Sequence, residues 1–249
     1  MTTYNGSKYV KDQVSSICTN LITGDEIIVG DDGSTDNTLE IIRNLSIENP
    51  EISIIVLNNN KLGTTKNLER GLRYAKGKYI FIADQDDVWL PHKVSTICDY
   101  LDENKNINLV FHNSKVSNDS ISDISHESLF EYLKCSNKFK DNIKYFHFWG
   151  CMFCLRKQAL EYLLPFKFGF DSWIMICCTY FKECQLIDER LMIYRRHGNN
   201  QSSFKRGNIC NVLWNRLYRL VIFSLNIPRL RKLRKRAFKN DSIDLHSDI

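Results

Sequence analysis

Apolar positions along the first two thirds of the chain alternate between two periods. Glu26-Ile27-Ile28-Val29-Gly30 is a short unbroken β-prone run, the pattern of a strand buried on both faces. Leu39, Ile41, Ile42 and Leu45 then fall at helical spacing and stop before Pro50, with Asp36 placed to cap the helix. Ile52 to Leu57 predicts a second strand. Leu68, Leu72 and Tyr74-Ala75 predict the helix after it, closed by Gly77. Lys78 to Ala83 predicts a third strand. Pro91 opens the next helix, with Val94, Ile97, Cys98 and Leu101 on its inner face, and Ile107 to Phe111 predicts a fourth strand. This alternation predicts an α/β fold, with a mainly parallel central sheet and helices on both faces.

Past that point the pattern loosens. Residues 113–148 are polar with little periodicity and read as a variable connection or lid. Gly150 to Leu155 predicts a strand, Lys157 to Leu163 a short helix, and Asp171 to Phe181 a buried helix. Gln185 to Asp188 and Leu191 to Tyr194 predict two short strands around a tight turn. From about Asn208 the pattern changes again. Leu213, Trp214, Leu217, Leu220, Val221 and Leu225 form an apolar stripe, and Arg229-Leu230-Arg231-Lys232-Leu233-Arg234-Lys235-Arg236 follows Pro228. The chain therefore divides into a domain over 1–207 and a basic amphipathic helical tail over 208–249.

Charge sharpens this division. The 249 residues carry a net +5, yet fourteen Lys or Arg and no Asp or Glu lie between Arg190 and Lys239, leaving −9 on the remainder. Such a tail fits either an anionic membrane surface or packing on the domain with a solvated basic face; nucleic acid ranks well below both. No apolar run approaches the roughly 18 residues that cross a bilayer. The N-terminus shows no leader pattern. The expected location is therefore cytoplasmic, peripheral at the inner face of the cell membrane. The nine cysteines are odd in number and scattered, as reduced thiols are. Cys151 and Cys154 have metal-site spacing but no second pair, and read as part of a buried strand.

The candidate chemistry lies at strand ends. Asp31-Asp32-Gly33-Ser34-Thr35-Asp36 follows the first predicted strand, and Asp84-Gln85-Asp86-Asp87 follows the third. In such sheets ligands collect beyond the carboxyl ends of strands, so the two acidic ends can share one crevice. Carboxylates this close repel and resist desolvation, and a cation relieves both. Taken alone, either segment also reads as an acidic turn, with Asp87 as the N-cap of the following helix.

Together these segments resemble the family 2 glycosyltransferases, which have the GT-A fold. Thr3-Tyr4-Asn5 is similar to the family's opening loop and Asp31 to Asp36 to its second nucleotide-contacting loop. Asn60 to Gly63 with Asn67 resembles its N-x-x-G-x-x-x-N element, and Asp84 to Pro91 its D-x-D motif followed by W-x-P. Asp171-Ser172-Trp173 resembles the acceptor-side D-x-W. Tyr194-Arg195-Arg196-His197-Gly198-Asn199-Asn200 resembles the closing segment of rhamnosyltransferase-like members. The resemblance covers about residues 1–203.

It implies inverting, metal-dependent transfer of a sugar from a nucleotide-sugar donor to a saccharide or lipid-linked saccharide acceptor, in surface polysaccharide biosynthesis. Asp86 would be a metal ligand for Mn²⁺ or Mg²⁺, Asp84 would contact the metal or the ribose, and His197 would be a further ligand. Asp32 would accept a hydrogen bond from the base, with Thr3 and Tyr4 lining the base pocket. Arg195 and Arg196 would hold the diphosphate. Asp171 would be the general base, and Trp173 would either stack on the acceptor sugar or pack in the core. Phe170 stands where related motifs carry His or Glu.

One departure concerns the first strand, which precedes the Thr3-Tyr4-Asn5 loop in the family and is missing ahead of Met1. That implies an upstream start, or else a truncated and inactive membrane-peripheral interaction protein. A nucleotidyltransferase, the other enzyme reading, would want a glycine-rich first loop, and Asn5-Gly6-Ser7-Lys8 is sparse for that.

Overall fold

A computed structural model describes residues 1–144, 148–198, 200 and 208–244. In chain order its strands are β1 (Thr2–Thr3), β2 (Glu26–Asp31), β3 (Ser53–Asn58), β4 (Tyr79–Phe81), β5 (Val88–Trp89), β6 (Leu109–Ser117), β7 (Ile124–His126), β8 (Phe153–Arg156) and β9 (Cys184–Arg195). Its α-helices are α1 (Val10–Cys18), α2 (Thr38–Glu48), α3 (Thr64–Tyr74), α4 (Lys93–Glu103), α5 (Leu129–Leu133), α6 (Phe139–Lys144), α7 (Leu160–Leu163), α8 (Phe170–Tyr180) and α9 (Ile209–Asp244).

Strands β3, β2 and β1 lie side by side and parallel. The Thr2 amide donates to the Ala83 carbonyl at 3.2 Å, which joins this group to the second, ordered β4-β8-β6-β9-β5. Within the second group β6 and β9 are parallel, while β8 runs antiparallel to β4 and β6, and β5 antiparallel to β9. Both faces are covered. Alternate residues of the central strands divide between two apolar clusters: Leu109, Phe111, Phe153 and Leu155 enter the larger one, and Val110 and Cys154 the smaller, under Ile97 and Leu101 of α4. That division is the period-two geometry of a strand between two layers.

Three expectations need revision. Gln185 to Tyr194 is not a hairpin but part of one twelve-residue strand, β9, which follows β6 throughout. The pairing shifts between His112 and Lys115 of β6, so the polar Asp188-Glu189 bulges ahead of Arg190, which pairs with Asn113, without breaking the strand. Pro91 does not open α4, because His92 takes a left-handed φ of 68° and the helix starts at Lys93. The polar stretch after 113 is more than a loose lid. β6 continues to Ser117, β7 turns back on it, and α6 packs on α8.

β1 is short, and the sheet is open below it. Met1 donates its ammonium to the Ile28 carbonyl at 2.8 Å and accepts from the Gly30 amide at 2.9 Å. Beyond Met1, Glu26–Ile28 of β2 and Tyr79–Phe81 of β4 face each other across a groove of about 540 Å³, lined also by Leu68, Leu72 and Trp89.

α9 is docked along the domain. Its inner face carries Phe223, Leu230 and Ala237, all buried and seven residues apart. Arg234 pairs with the buried Glu183, which also accepts from Tyr162 Oη at 2.6 Å and Asn108 Nδ2 at 2.8 Å.

Candidate active site

The carboxyl ends of β1, β2 and β4 converge with the end of β9 and the first turn of α8 on one cavity of about 920 Å³. Thr3, Tyr4, Asp32, Asp84, Asp86, Asp171 and His197 all line it.

The two aspartates after β2 have separate tasks. Asp31 is buried and folds its own loop, accepting from Thr3 Oγ1 at 2.9 Å and from the amides of Gly33 and Ser34 at 3.1 and 2.9 Å. Gly33 has a φ of 91° there, a conformation that glycine adopts without penalty. Asp32 faces the cavity, and its two oxygens accept from the Leu62 and Gly63 amides at 2.6 and 2.9 Å. Buried Asn67 of α3 donates to the Gly30 carbonyl at 2.7 Å, and any Cβ on Gly30 would collide with its Oδ1. The opening loop is clamped to the acidic one: the Tyr4 amide donates to Gln85 Oε1 at 2.8 Å, and Gln85 Nε2 donates to the Tyr4 carbonyl at 3.1 Å.

Asp84, Asp86 and Asp87 repel one another. Burial, then Asp86, pushes the Asp84 carboxyl up to about 7. Burial, then Asp86 and Asp84, holds Asp87 well above the usual carboxylate range. An oxygen of each of Asp84 and Asp87 and the Cys151 sulfur lie within 4.8 Å of one another. Burial beside these carboxyls keeps the Cys151 thiol protonated, its pKa raised well above the ordinary thiol value. On the cavity side, Asp86 Oδ2 lies 2.7 Å from His197 Nε2, and Asn200 Nδ2 donates to it at 3.3 Å. His197 stacks on Tyr9 with centroids 4.6 Å apart. Carboxylates in mutual repulsion, with an imidazole beside Asp86, are a donor set that suits a hard divalent cation, and the ligand atoms that already lie together are those of Asp84, Asp87 and Cys151.

Asp171 sits at the start of α8, where the Ser172 amide donates to its Oδ1 at 2.7 Å. Burial raises its carboxyl to about 6, against the opposing pull of that amide and of Arg219.

Other expected residues are placed elsewhere. Trp173 is fully buried, donates from Nε1 to the Leu163 carbonyl at 2.7 Å and packs edge-on against Phe168. It is a core residue and cannot stack on an acceptor sugar. Arg195 is 5 % exposed in its side chain, bound to Asp12 at 2.9 Å and laid over the Tyr9 ring, off the cavity lining. Arg196, whose amide donates to the Ser117 carbonyl at 2.9 Å, is also off that lining. Asp87 caps no helix; it accepts from the Arg195 amide at 3.1 Å and so fixes the end of β9 to the acidic loop.

Two features of the lining carried no readable signal, the Lys8–Asp119 pair and the stacking partner Trp149. Lys8 and Asp119 pair at 2.7 Å at the rim, joined by Tyr9, which donates to Asp119. They are separated by more than a hundred residues, so only folding reveals the pair. Trp149 stacks flat on Tyr194 with centroids 4.6 Å apart, and both line the cavity beside Phe170.

Residues 1–164 match the sequence profile described as Glycosyl transferase family 2. The chain is 26 % identical over 219 residues to an uncharacterized glycosyltransferase of Nostoc sp., an alignment covering 80 % of this chain and 64 % of that protein. It is 25 % identical over 221 residues to the dTDP-rhamnosyl transferase RfbG of Shigella flexneri, covering 81 % of this chain and 73 % of that one. Among solved structures, the mannosyltransferase PcManGT from Pyrobaculum calidifontis in complex with GDP-Man and Mn²⁺ superposes with a TM-score of 0.60 at 19 % identity, over 81 % of this chain and 56 % of that chain. At that identity the likeness is one of fold. The chain thus spans less than two thirds of the Nostoc protein and of the PcManGT chain.

Proposed function

We propose, for a chain that belongs to glycosyl transferase family 2 and is on that ground a glycosyltransferase, an inverting and metal-assisted transfer of a sugar from a nucleoside-diphosphate donor to a saccharide hydroxyl. The observation that carries this reading is the convergence of Asp32, Asp84, Asp86, His197 and Asp171 on one cavity.

In this reading Thr3, Tyr4 and Asp32 hold the nucleoside end of the donor. A divalent cation, Mn²⁺ or Mg²⁺, held by Asp84, Asp86 and His197 would stabilise charge on the departing diphosphate. Lys8, which lines the cavity while paired with Asp119, would meet the phosphates, whereas Arg195 lies off the lining. Asp171 accepts the acceptor hydroxyl proton as that oxygen attacks the anomeric carbon. The bond from that carbon to the phosphate oxygen breaks, and a single displacement inverts the centre. Phe170 and the stacked Trp149 and Tyr194 offer the apolar surface a sugar ring needs, the task Trp173 cannot perform.

The rhamnosyltransferase-like closing segment and the Shigella relative favour a deoxyhexose donor and an acceptor in surface polysaccharide assembly, either saccharide or lipid-linked. Asp171→Asn should lower the transfer rate by about 10²–10⁴-fold, the usual contribution of a general base. A nucleotide-sugar should still raise the melting temperature of that variant in the presence of Mn²⁺. Near-normal turnover in Asp171→Asn would refute the assignment. Metal-dependent donor hydrolysis by the purified protein is also expected, and its absence would count against the reading.

A further inference from the structure

α9 presents a second face that its docking does not use. Phe223, Leu230 and Ala237 point into the domain. On the opposite side Leu213, Trp214, Leu217, Tyr218, Val221 and Leu225 are exposed, between 47 % and 72 %. At about 100° per residue these six fall within roughly 140° of the helix circumference. Past Pro228 the same sector continues as Lys232, Lys235, Arg236 and Lys239, all exposed. One outward face is therefore apolar and aromatic along its first half and cationic along its second. No acidic residue interrupts it before Lys239.

We propose that this face seats the protein on an anionic lipid bilayer, with α9 lying in the membrane interface. Each half of the face matches one part of that surface. The apolar half suits the boundary between head groups and acyl chains, where Trp and Tyr are favoured. The cationic half suits anionic head groups. A second copy of the chain is a poorer occupant, because a parallel pairing would oppose two basic halves and an antiparallel one would set each basic half on apolar side chains. Nucleic acid would leave the apolar half without a partner. No described helix is long and apolar enough to cross a bilayer, so α9 would lie on the surface rather than span it. On its docked side α9 reaches the proposed acceptor region, where Arg219 lies 6.0 Å over the Phe168 ring, three residues ahead of Asp171.

The test uses the full chain and vesicles of phosphatidylcholine with or without phosphatidylglycerol. Its readout involves no sugar transfer, so it can fail independently of the proposed function. Trp214 is 70 % exposed, whereas Trp89, Trp149 and Trp173 are buried, so a change in tryptophan emission reports on α9. The expected result is co-sedimentation with the anionic vesicles, a blue shift of Trp214 emission, and release at high salt. Lys232→Glu with Lys235→Glu should weaken binding more than tenfold, at roughly fivefold for each lost cation. Leu217→Glu with Val221→Glu should abolish the blue shift, with thermal unfolding unchanged in both variants. The proposal is overturned by an absence of sedimentation, or by equal binding to neutral vesicles that the lysine pair does not affect. It is also overturned if light scattering shows a dimer that Leu217→Glu dissolves while vesicles bind nothing.

Discussion

Asp171 and Trp173 stand two positions apart, about 200° around a helix. That rotation gives one side chain to the cavity and the other to the core, although the motif carries them side by side. The depth of Asp171 sets its chemistry. Burial lifts its carboxyl to about 6, close enough to neutrality for it to take a proton from a hydroxyl and still be ionised at pH 7. A base works only when ionised, so kcat/KM should be flat above about pH 7 and fall tenfold per unit below about pH 6. Arg219 pulls this carboxyl down, so Arg219→Gln should move the acidic limb to higher pH. A limb that stays in place in Arg219→Gln, or a profile flat to pH 5, would show that another group titrates.

At the scale of elements, the sheet is weakest beside the short β1. The edges of β2 and β4 face a groove that no described strand fills, and the Met1 ammonium is buried at its head. Burial pulls that ammonium down to about 6, against partial relief from Asp84. Its folded pKa lies below its unfolded value near 8, so it costs stability at pH 6 and the cost fades as pH rises through 8. Extending the chain ahead of Met1 by five alternating β-branched residues should pair both edges and replace the buried charge with an amide. The melting temperature should rise by several degrees, since about 1 kcal/mol is worth roughly 2–4 °C in a chain of this size. A control extension containing two prolines removes the same charge but pairs poorly with both edges, and should give a smaller rise. Equal shifts from both extensions would show that the groove does not accept a strand.

On the scale of the whole molecule, charge is separated: unrelieved carboxylates gather at one end of the sheet, and cations along α9. Asp84 and Asp171 titrate at about 7 and about 6 in the folded chain, above their unfolded value of 3.8. Both sites therefore hold protons that the unfolded chain has lost, and their ionisation erodes stability as pH rises from about 4 to 7. A divalent cation competes with the proton on Asp84. Mn²⁺ should raise the melting temperature more at pH 7.5 than at pH 5.5, and EDTA should reverse the rise. Asp86→Asn should abolish most of the Mn²⁺ effect. A shift independent of pH and of Asp86 would place the ion elsewhere.

Sequence by itself determined what depends on local period and on side-chain type. Unbroken β-branched runs gave β2 and β3, helical spacing gave α2 and α3, and the order of acidic loops pointed to the family and to a shared crevice. Those signals are legible because a strand or helix needs its own residues in a fixed rhythm. Tertiary structure alone decided which of the marked side chains reach the cavity. Arg195 went to Asp12 across 183 residues of chain, Trp173 went to the core, and Asp119 arrived at the rim from a segment with no rhythm. β9 remained one strand through a polar bulge because β6 lies beside it along its whole length. In each case the deciding term is a contact between residues far apart in sequence. Its energy appears only once the chain has closed around it, so no local pattern carries it.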